Sequence, residues 1–469
     1  MTVFRTSAAR WLVLWAALFG LYAATLNVDA FLSSDYGGDE PHYLLTAESI
    51  VSDGDFDLTD EYAAKAYSRF YPFALDVHGR PTGGRIHEPH GVGFALAITP
   101  AYAIAGPKGV QIFLAAIAAL GFVLAAALAR RVVSEPWATA GTLLIAISPP
   151  AIAYGATIYP ELMAGTILCG AALLALRVRE RLRALDALAA AALIAVLPWL
   201  GPKYLVAAIP ILIGLVRWAM RRRRGLVALF CGEIVAASLL VFIPVNRVLF
   251  GGLTPYAADV KPATDAEFPV GYLERIPRLV ALWLDREYGL IRWAPVLALC
   301  FLGGWLLWRS RRDGMRRLVP ERIDVEAAAA LCLGVCAAQV AVAAFAAPTM
   351  FGFWFPGRHL VAALPFAVPL AAWGLRHSPR SGAALGALTV LSSGWLLVAF
   401  ATGHADGWVT PTVSAPWGPL EAGFPLYGAD SAWAAVVAGA VVAGLVFLAV
   451  REWRNWRKTV GTTRRAYSP

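Results

Sequence analysis

Charged residues are scarce in this 469-residue chain: Asp, Glu, Lys and Arg together make up only 15% of it. A soluble protein of this size would need a polar face on most of its helices. Hydrophobic residues instead make up 59% of the chain, and the mean hydropathy is +0.62. Stretches such as 109–128 and 432–450 are apolar on all sides and long enough to cross a bilayer. The composition therefore excludes a soluble fold and predicts an all-α polytopic membrane protein.

Cysteine is also scarce, and its positions argue against disulfides. Cys332 and Cys336 are one helical turn apart, but no histidine or further cysteine stands near them, so we interpret them as packing residues. All five cysteines lie within apolar runs and none lies in a polar loop: Cys169, Cys231, Cys300, Cys332 and Cys336.

Basic residues give the chain a net charge of +9, but they are not gathered into one patch. They form short clusters at every second connection between apolar runs, which is typical of cytoplasmic loops, so we expect no nucleic-acid partner. This pattern places both termini in the cytoplasm. The clusters lie at 130–131, 177–183, 217–224, 309–317, 376–380 and from 451 onward.

The apolar runs predict about twelve transmembrane helices within a single transmembrane domain, 1–469. The first run resembles a signal sequence, but we interpret it as a retained anchor. The predicted spans are 11–27, 109–129, 137–154, 160–176, 185–200, 204–219, 226–248, 290–308, 326–347, 359–375, 382–401 and 433–450.

The short apolar run from Gly91 to Ala105 is not counted among these spans. Counting it would move every later basic cluster to the outside, so we predict a helix in the outer membrane interface. The first extracytoplasmic loop then covers 28–108, and further extracytoplasmic loops cover 249–289 and 402–432. Residues 28–90 carry twelve acidic and four basic residues, so carboxylates collect at the outer surface.

A short acidic motif follows the first span, in the sequence Gly37-Gly38-Asp39-Glu40-Pro41. Pro41 suits the first turn of a helix and Asp39 the cap before it. Two interpretations stay open. Asp39 and Glu40 could only cap this helix and favour its dipole, or the two glycines could let the backbone come close to a site that the carboxylates face.

Several motifs along nearly the whole chain resemble, in their order, those of the GT-C superfamily of membrane glycosyltransferases. The sequence departs from the family pattern in having Glu161 where the second carboxylate is often Asp, and in having the additional His90. The motifs are Asp39-Glu40 with Tyr43, His87 with Pro89 and Gly91, Ser148-Pro149, Tyr159-Pro160-Glu161, Lys203-Tyr204, and Gly357-Arg358-His359-Leu360 followed by Leu364-Pro365.

The resemblance implies transfer of a sugar from a polyprenyl-phosphate donor to an extracytoplasmic acceptor, which is a glycan, lipid or protein hydroxyl. Such a donor already has a good leaving group, so the protein chiefly needs a base for the acceptor and cations for the phosphate. Asp39 is the candidate base, and a single base implies inversion without a covalent nucleophile. Glu40 or Glu161 would orient the acceptor or bind a cation.

The remaining candidate residues would hold the donor or the loop. Lys203, Arg358 and His359 are candidates for the donor phosphate, because cations at membrane depth need a partner. For Arg358 the alternative stays open that it snorkels to the interface or pairs with a loop carboxylate. Tyr43, His87 and His90 are candidates for contacts between the loop and the substrate. The sequence identifies no definite cofactor. A divalent metal stays open, with His87, Glu88 and His90 as candidate ligands and hydrogen bonding within the loop as the alternative.

Two other functions fit the same topology. A transporter or flippase of a lipid-linked or small solute would carry charges along its pathway within the spans, and often an internal repeat. The predicted spans hold few acids and we find no convincing repeat, which favours surface chemistry. A polysaccharide ligase that uses a lipid-diphosphate donor would depend more on external arginines and histidines than on Asp39.

Overall fold

The computed structural model describes residues 2–181, 183–221, 224–259, 275–310, 321–409, 415–416, 423–427 and 431–466. Over these ranges the regular structure is helical, with isolated β-bridges and no strand. The α-helices are α1 Thr2–Ala23, α2 Glu40–Ser52, α3 Thr59–Ala63, α4 Val92–Ala129, α5 Trp137–Ala146, α6 Pro149–Ala156, α7 Glu161–Glu180, α8 Ala184–Leu200, α9 Pro202–Arg221, α10 Gly225–Phe250, α11 Arg278–Leu284, α12 Leu290–Trp293, α13 Ala298–Ser310, α14 Glu321–Ala341, α15 Leu364–His377, α16 Pro379–Ala401 and α17 Ser431–Ala466. Short 3-10 segments lie at Ala66–Arg69, Pro255–Ala258, Pro295–Leu297 and Arg358–Ala363, and a π-helical turn lies at Val342–Ala346.

Each predicted apolar run corresponds to helical structure, which confirms the all-α membrane fold. Seven helices of the described ranges are long and apolar enough to cross a membrane, and α5 with α6 forms a further broken pair that bends by 62°. Four shorter apolar helices occupy the other predicted runs: Ala8–Ala23, Ala184–Leu200, Pro295–Arg309 and Ala432–Leu448. The number of twelve crossings stays a prediction.

A pair of prolines explains the bend between α5 and α6. Ser148 has extended backbone angles, φ −69° and ψ 150°, as expected for a residue that precedes proline, and Pro149 then begins α6. All eight residues of α6 are buried. The chain leaves α6 through Thr157 and enters α7 at Glu161, so this break delivers a carboxylate to the interior of the fold.

The helix α4 contains the predicted break after its first third. Ala105 and Gly106 have non-helical backbone angles, and Gly106 has a φ of +61°, which glycine adopts without strain. The part of α4 before the break matches the short apolar run predicted at 91–105. Its location in the membrane interface stays a prediction.

Small residues let the central helices approach one another closely, as is common in membrane proteins. In α13, a Cβ added at Gly303 would lie 1.9 Å from the carbonyl oxygen of Leu370 in α15. Gly374 of α15 similarly faces the carbonyl oxygen of Leu299, 2.5 Å from the position of an added Cβ. The α13–α15 pair therefore forms a tight backbone contact.

The connection between α1 and α4, residues 24–91 (the α1–α4 segment), packs on the bundle through α2, which lies against α4. It carries Asp39, Glu40, Glu88 and His90. The two other predicted loops are described only in part, because residues 260–274, 410–414, 417–422 and 428–430 lie outside the described residues.

Candidate active site

Arg358 stands at the centre of a buried charged cluster. Its Nη2 atom lies 2.6 Å from Oδ2 of Asp39, and its Nε atom donates to Oε1 of Glu161 at 3.1 Å. The guanidinium lies 4.4 Å from the centre of the Tyr159 ring and 4.9 Å from that of Trp354. Only 7% of Arg358 is exposed. One arginine therefore joins two carboxylates from distant parts of the chain while two aromatic rings shield it from solvent.

Lys203 completes the cluster from a fourth segment. Its Nζ atom donates to the same Oε1 atom of Glu161 at 2.9 Å. The second oxygen of Glu161, Oε2, is buried and has no hydrogen-bond partner among the described residues. The cluster thus holds two carboxylates and two cationic side chains, and Oε2 of Glu161 is left to accept a hydrogen bond from a further donor.

Asp39 uses its carboxylate for pairing and not for capping. It occupies the cap position of α2, yet its side chain makes no capping hydrogen bond. Burial is the largest single influence and would raise the pKa of Asp39. The charge and hydrogen bond of Arg358, together with the neighbouring His90 and His42, outweigh burial and hold that pKa well below its ordinary value. Of the two interpretations of the motif, the structure supports a carboxylate that faces a site.

Gly38 explains how Asp39 reaches this position. It has a φ of +58°, and a Cβ added there would lie 2.3 Å from the carbonyl oxygen of Phe353 and 2.6 Å from Oη of Tyr159. Any larger residue would push the motif away from the segment that carries Arg358. That segment is itself fixed because Tyr154 of α6 donates to the carbonyl oxygen of Phe355 at 2.6 Å.

Glu40 lies beside this cluster but is committed to the backbone. Its Oε1 atom accepts from the amide of Ile158 at 2.6 Å, and its Oε2 atom accepts from the amide of Gly37 at 2.9 Å. The residue is fully buried. Burial raises the pKa of Glu40 to about 7 against the effect of these two hydrogen bonds. Glu40 therefore ties the start of α2 to the α6–α7 connection and fits the role of a positioning residue.

His359 follows Arg358 in sequence, but its side chain hydrogen-bonds to the backbone and not to the carboxylates of the cluster. Its Nε2 atom lies 2.8 Å from the carbonyl oxygen of Thr349, and its ring contacts the edge of Trp354. None of its described hydrogen bonds joins it to Asp39, Glu161 or Lys203. The structure therefore brings Lys203 and Arg358 to the carboxylates and leaves His359 to hold the segment before them.

Tyr43 and His90 line the side of the cluster next to Asp39. The Tyr43 ring packs against Phe94 at 4.8 Å and against His90 at 5.1 Å. The Nε2 atom of His90 lies 3.9 Å from Oδ1 of Asp39 and 3.9 Å from Oε2 of Glu88. Burial lowers the pKa of His90. Both residues are thus neighbours of the candidate base.

Of the two interpretations of His87, a metal ligand or hydrogen bonding within the loop, the structure shows hydrogen bonding within the loop. Its Nδ1 atom lies 2.7 Å from the carbonyl oxygen of Phe56, and its ring contacts Phe250. It joins neither of the metal-capable groups in the described ranges near Asp39, which consist of Asp39, His78 and His90 and of His42, His78 and Glu88. The physical reason is that the backbone carbonyl oxygen of Phe56 engages the Nδ1 atom of His87.

His42 and His78 are neighbours of the site that the sequence interpretation missed. Their rings lie 4.0 Å apart, and burial together with the neighbouring His42 lowers the pKa of His78 to about 4. A signal was present in the sequence, because four of the seven histidines lie between residues 42 and 90. The missing information was the folding of the loop that brings position 78 back to α2.

The fold has a counterpart among solved structures. No family model matches the chain, and no curated protein matches its sequence. The structure of ArnT from Cupriavidus metallidurans in the apo state shares its fold with a TM-score of 0.53 and 17% identity, over 95% of this chain and 72% of that one. The chain is therefore an all-helical integral membrane protein that shares the fold of this ArnT structure, in agreement with the fold that the resemblance implied.

Two further structures score lower. ArnT from the same organism bound to undecaprenyl phosphate has a TM-score of 0.48 and 15% identity, over 96% of this chain and 73% of that one. An oligosaccharyltransferase from Archaeoglobus fulgidus, tethered with an acceptor peptide, has a TM-score of 0.42 and 16% identity, over 85% of this chain and 55% of that one.

Proposed function

We propose that this protein is an inverting glycosyltransferase that moves a sugar from a polyprenyl-phosphate donor to an acceptor hydroxyl at the extracytoplasmic face. The observation that carries the proposal is the contact of Asp39 and Glu161 with Arg358 and Lys203 in one buried cluster. A carboxylate can accept the proton of the acceptor, and the two cations can hold the departing phosphate.

In the proposed reaction, the acceptor oxygen attacks the anomeric carbon from the side opposite the phosphate. The new glycosidic bond forms as the carbon–oxygen bond to the phosphate breaks, and the hydroxyl proton passes to Asp39. Arg358 and Lys203 balance the charge of the lipid phosphate that leaves. Glu161 holds both cations in place, and Glu40 fixes the start of α2, so neither needs to exchange a proton.

The location of the site follows from the charge pattern. The basic clusters at every second connection place α2 and the starts of α7 and α9 on the side away from the cytoplasm. Donor, acceptor and bilayer would then meet at the outer interface, with both termini inside. The identity of the sugar depends on contacts beyond those of the charged cluster.

The first test compares Asp39→Asn with the matched variant Asp35→Asn. Asp35 lies in the same α1–α4 segment, pairs with Lys108 at 3.5 Å and is about half exposed. Purified proteins are incubated with a panel of polyprenyl-phosphate sugars and acceptors, and mass spectrometry scores released lipid phosphate and modified acceptor. We expect Asp39→Asn to lose at least about 100-fold in rate, as for removal of a general base, and Asp35→Asn to retain activity.

Two outcomes would contradict the proposal. Full activity of Asp39→Asn would remove Asp39 as the base. Absence of lipid-phosphate release from every donor, together with movement of an intact lipid or solute across liposomes, would instead identify a transporter.

A further inference from the structure

The α1–α4 segment contains a second group of polar side chains, next to the charged cluster but not part of it. We propose that His42, His78 and Glu88 bind one divalent transition-metal ion, for which Zn²⁺ is the best fit. The ion would fasten the loop that carries His78 and Glu88 onto α2. This site is independent of the proposed transfer reaction.

The ligand atoms already lie within the range of one ion. Suitable atoms of His42, His78 and Glu88 all lie within 4.8 Å of one another. Nδ1 of His42 and Oε2 of Glu88 are 3.3 Å apart. Two ligands with bonds of about 2.0–2.1 Å to a tetrahedral Zn²⁺ stand roughly 3.3 Å apart, so this pair needs almost no adjustment.

An unsatisfied oxygen points to a missing partner. Oε2 of Glu88 is buried and accepts no hydrogen bond of good geometry among the described residues, and only 6% of Glu88 is exposed. Its neighbours are the imidazoles of His42 at 3.3 Å and His90 at 3.9 Å. A buried carboxylate oxygen without a donor is costly. A cation at this position would satisfy it, and His42 and His78 are the adjacent groups that could share that cation.

A further side chain supports the proposed ligands from outside. The hydroxyl of Tyr62 donates to Oε1 of Glu88. Outer contacts of this kind orient the ligands of metal sites. Glu88 would then bind the ion through Oε2 while Tyr62 holds Oε1.

The ligand types select the metal. Two imidazoles and one carboxylate form a set typical of Zn²⁺, whereas Mg²⁺ and Ca²⁺ prefer oxygen ligands. The fourth position is open to water or to His90, whose Nε2 atom is 3.9 Å from the same oxygen of Glu88.

The positions of the ligands give the ion a structural role. His42 lies on α2, three residues after Asp39. His78 and Glu88 lie in the loop that follows the 3-10 segment at Ala66–Arg69. One ion would link His42 to His78, 36 positions later in the chain, and to Glu88, 46 positions later. It would thereby hold α2, and Asp39 with it, against the loop.

Metal binding can be measured without any assay of transfer. Tag-free protein in detergent is stripped with a chelator, exchanged into chelator-free buffer and titrated with Zn²⁺ by calorimetry, and bound metal is counted by mass spectrometry. We expect one Zn²⁺ per chain. Because loss of an outer contact alone costs about 10- to 100-fold in affinity, His78→Ala and Glu88→Gln should lose at least about 100-fold.

Two variants serve as matched controls. His87→Ala removes a histidine from the same loop whose ring faces Phe56 and Phe250, and His404→Ala removes an exposed histidine outside this segment. Both should bind Zn²⁺ as the unchanged protein does. Co²⁺ bound to the unchanged protein should show the visible absorption of a tetrahedral ion, and this band should be lost in Glu88→Gln.

The proposal fails if the unchanged protein binds no stoichiometric Zn²⁺, or if His78→Ala and Glu88→Gln bind it unchanged. It also fails if His87→Ala loses as much affinity as they do. Size-exclusion chromatography verifies that each variant is folded. If a variant does not fold, the Co²⁺ spectrum of the unchanged protein still shows whether a tetrahedral metal site is present. An inactive enzyme with this spectrum would contradict only the proposed function.

Discussion

Arg358 is shared by two carboxylates, and this sharing has a consequence for the proposed base. The charge of Arg358 lowers the pKa of Asp39, whereas burial raises it. If Arg358 turned to a donor phosphate in the proposed reaction, Asp39 would lose that stabilisation and its pKa would rise, which would make it a stronger base. Donor binding would therefore activate the carboxylate that accepts the proton of the acceptor.

Arg358→Lys tests whether the forked geometry of the guanidinium matters. Lysine keeps the charge but lacks the planar pair of donors that reaches Asp39 and Glu161 together. We expect kcat/KM for the donor to fall by roughly 10- to 100-fold, because a hydrogen bond to a charged group contributes about 1.5–3 kcal/mol. Steady-state kinetics with varied donor concentration measure this loss.

The matched control is Arg292→Lys, which alters an arginine that lies over the ring of Trp293 at 5.0 Å. It should leave the donor kinetics unchanged. Equal kinetics for Arg358→Lys and the unchanged protein would show that the simultaneous contact of the guanidinium with Asp39 and Glu161 does not contribute to the proposed mechanism.

Sequence motifs predicted the members of the charged cluster but not how each side chain is used. Asp39, Glu161, Lys203 and Arg358 come together as the family resemblance implied. His359 was expected to hold the donor phosphate, and its Nε2 atom lies 2.8 Å from the carbonyl oxygen of Thr349. Such choices depend on which backbone acceptor lies nearest after folding, and the sequence carries no local signal for that.

Helix starts bring the charged side chains to one place. Glu161 is the first residue of α7, Lys203 the second of α9, and Arg358 the first of the 3-10 segment at Arg358–Ala363, while Asp39 precedes α2. Amides at the start of a helix favour anions. The cluster therefore adds the positive ends of helices to its two cations, which suits a phosphate group.

The contact between α13 and α15 allows a test of the packing. Gly303→Ala places a methyl group 1.9 Å from the carbonyl oxygen of Leu370. Overpacking of this kind costs about 1–3 kcal/mol, because backbone atoms must move. We expect a lower Tm in detergent, measured by tryptophan fluorescence.

Gly394→Ala on α16 is the control, because an added Cβ there meets no atom within 4 Å. Its Tm should be unchanged or slightly higher, since alanine favours helices. Equal Tm values for the two variants would show that α13 and α15 can separate at little cost.

The whole molecule shows why the helices could be predicted more easily than the site. An apolar run is a local property, so each predicted span corresponds to helical structure, continuous or broken. The contact between Glu161 and Arg358 joins residues 197 positions apart, and only the family motifs indicated it. The fold of the loop between His42 and His78 has no such motif, and the metal-capable group was therefore missed.

The orientation of the molecule is the prediction on which the proposed reaction depends. Basic clusters place Arg181, between α7 and α8, in the cytoplasm, and Ser52, at the end of α2, on the outer face. In intact cells, a membrane-impermeant maleimide should label Ser52→Cys, which is exposed, and should label Arg181→Cys only after permeabilisation. The native cysteines lie within apolar runs, so the unchanged protein provides the background. The reverse labelling pattern would put Asp39 and Arg358 on the cytoplasmic side, where the acceptor proposed for them would be absent.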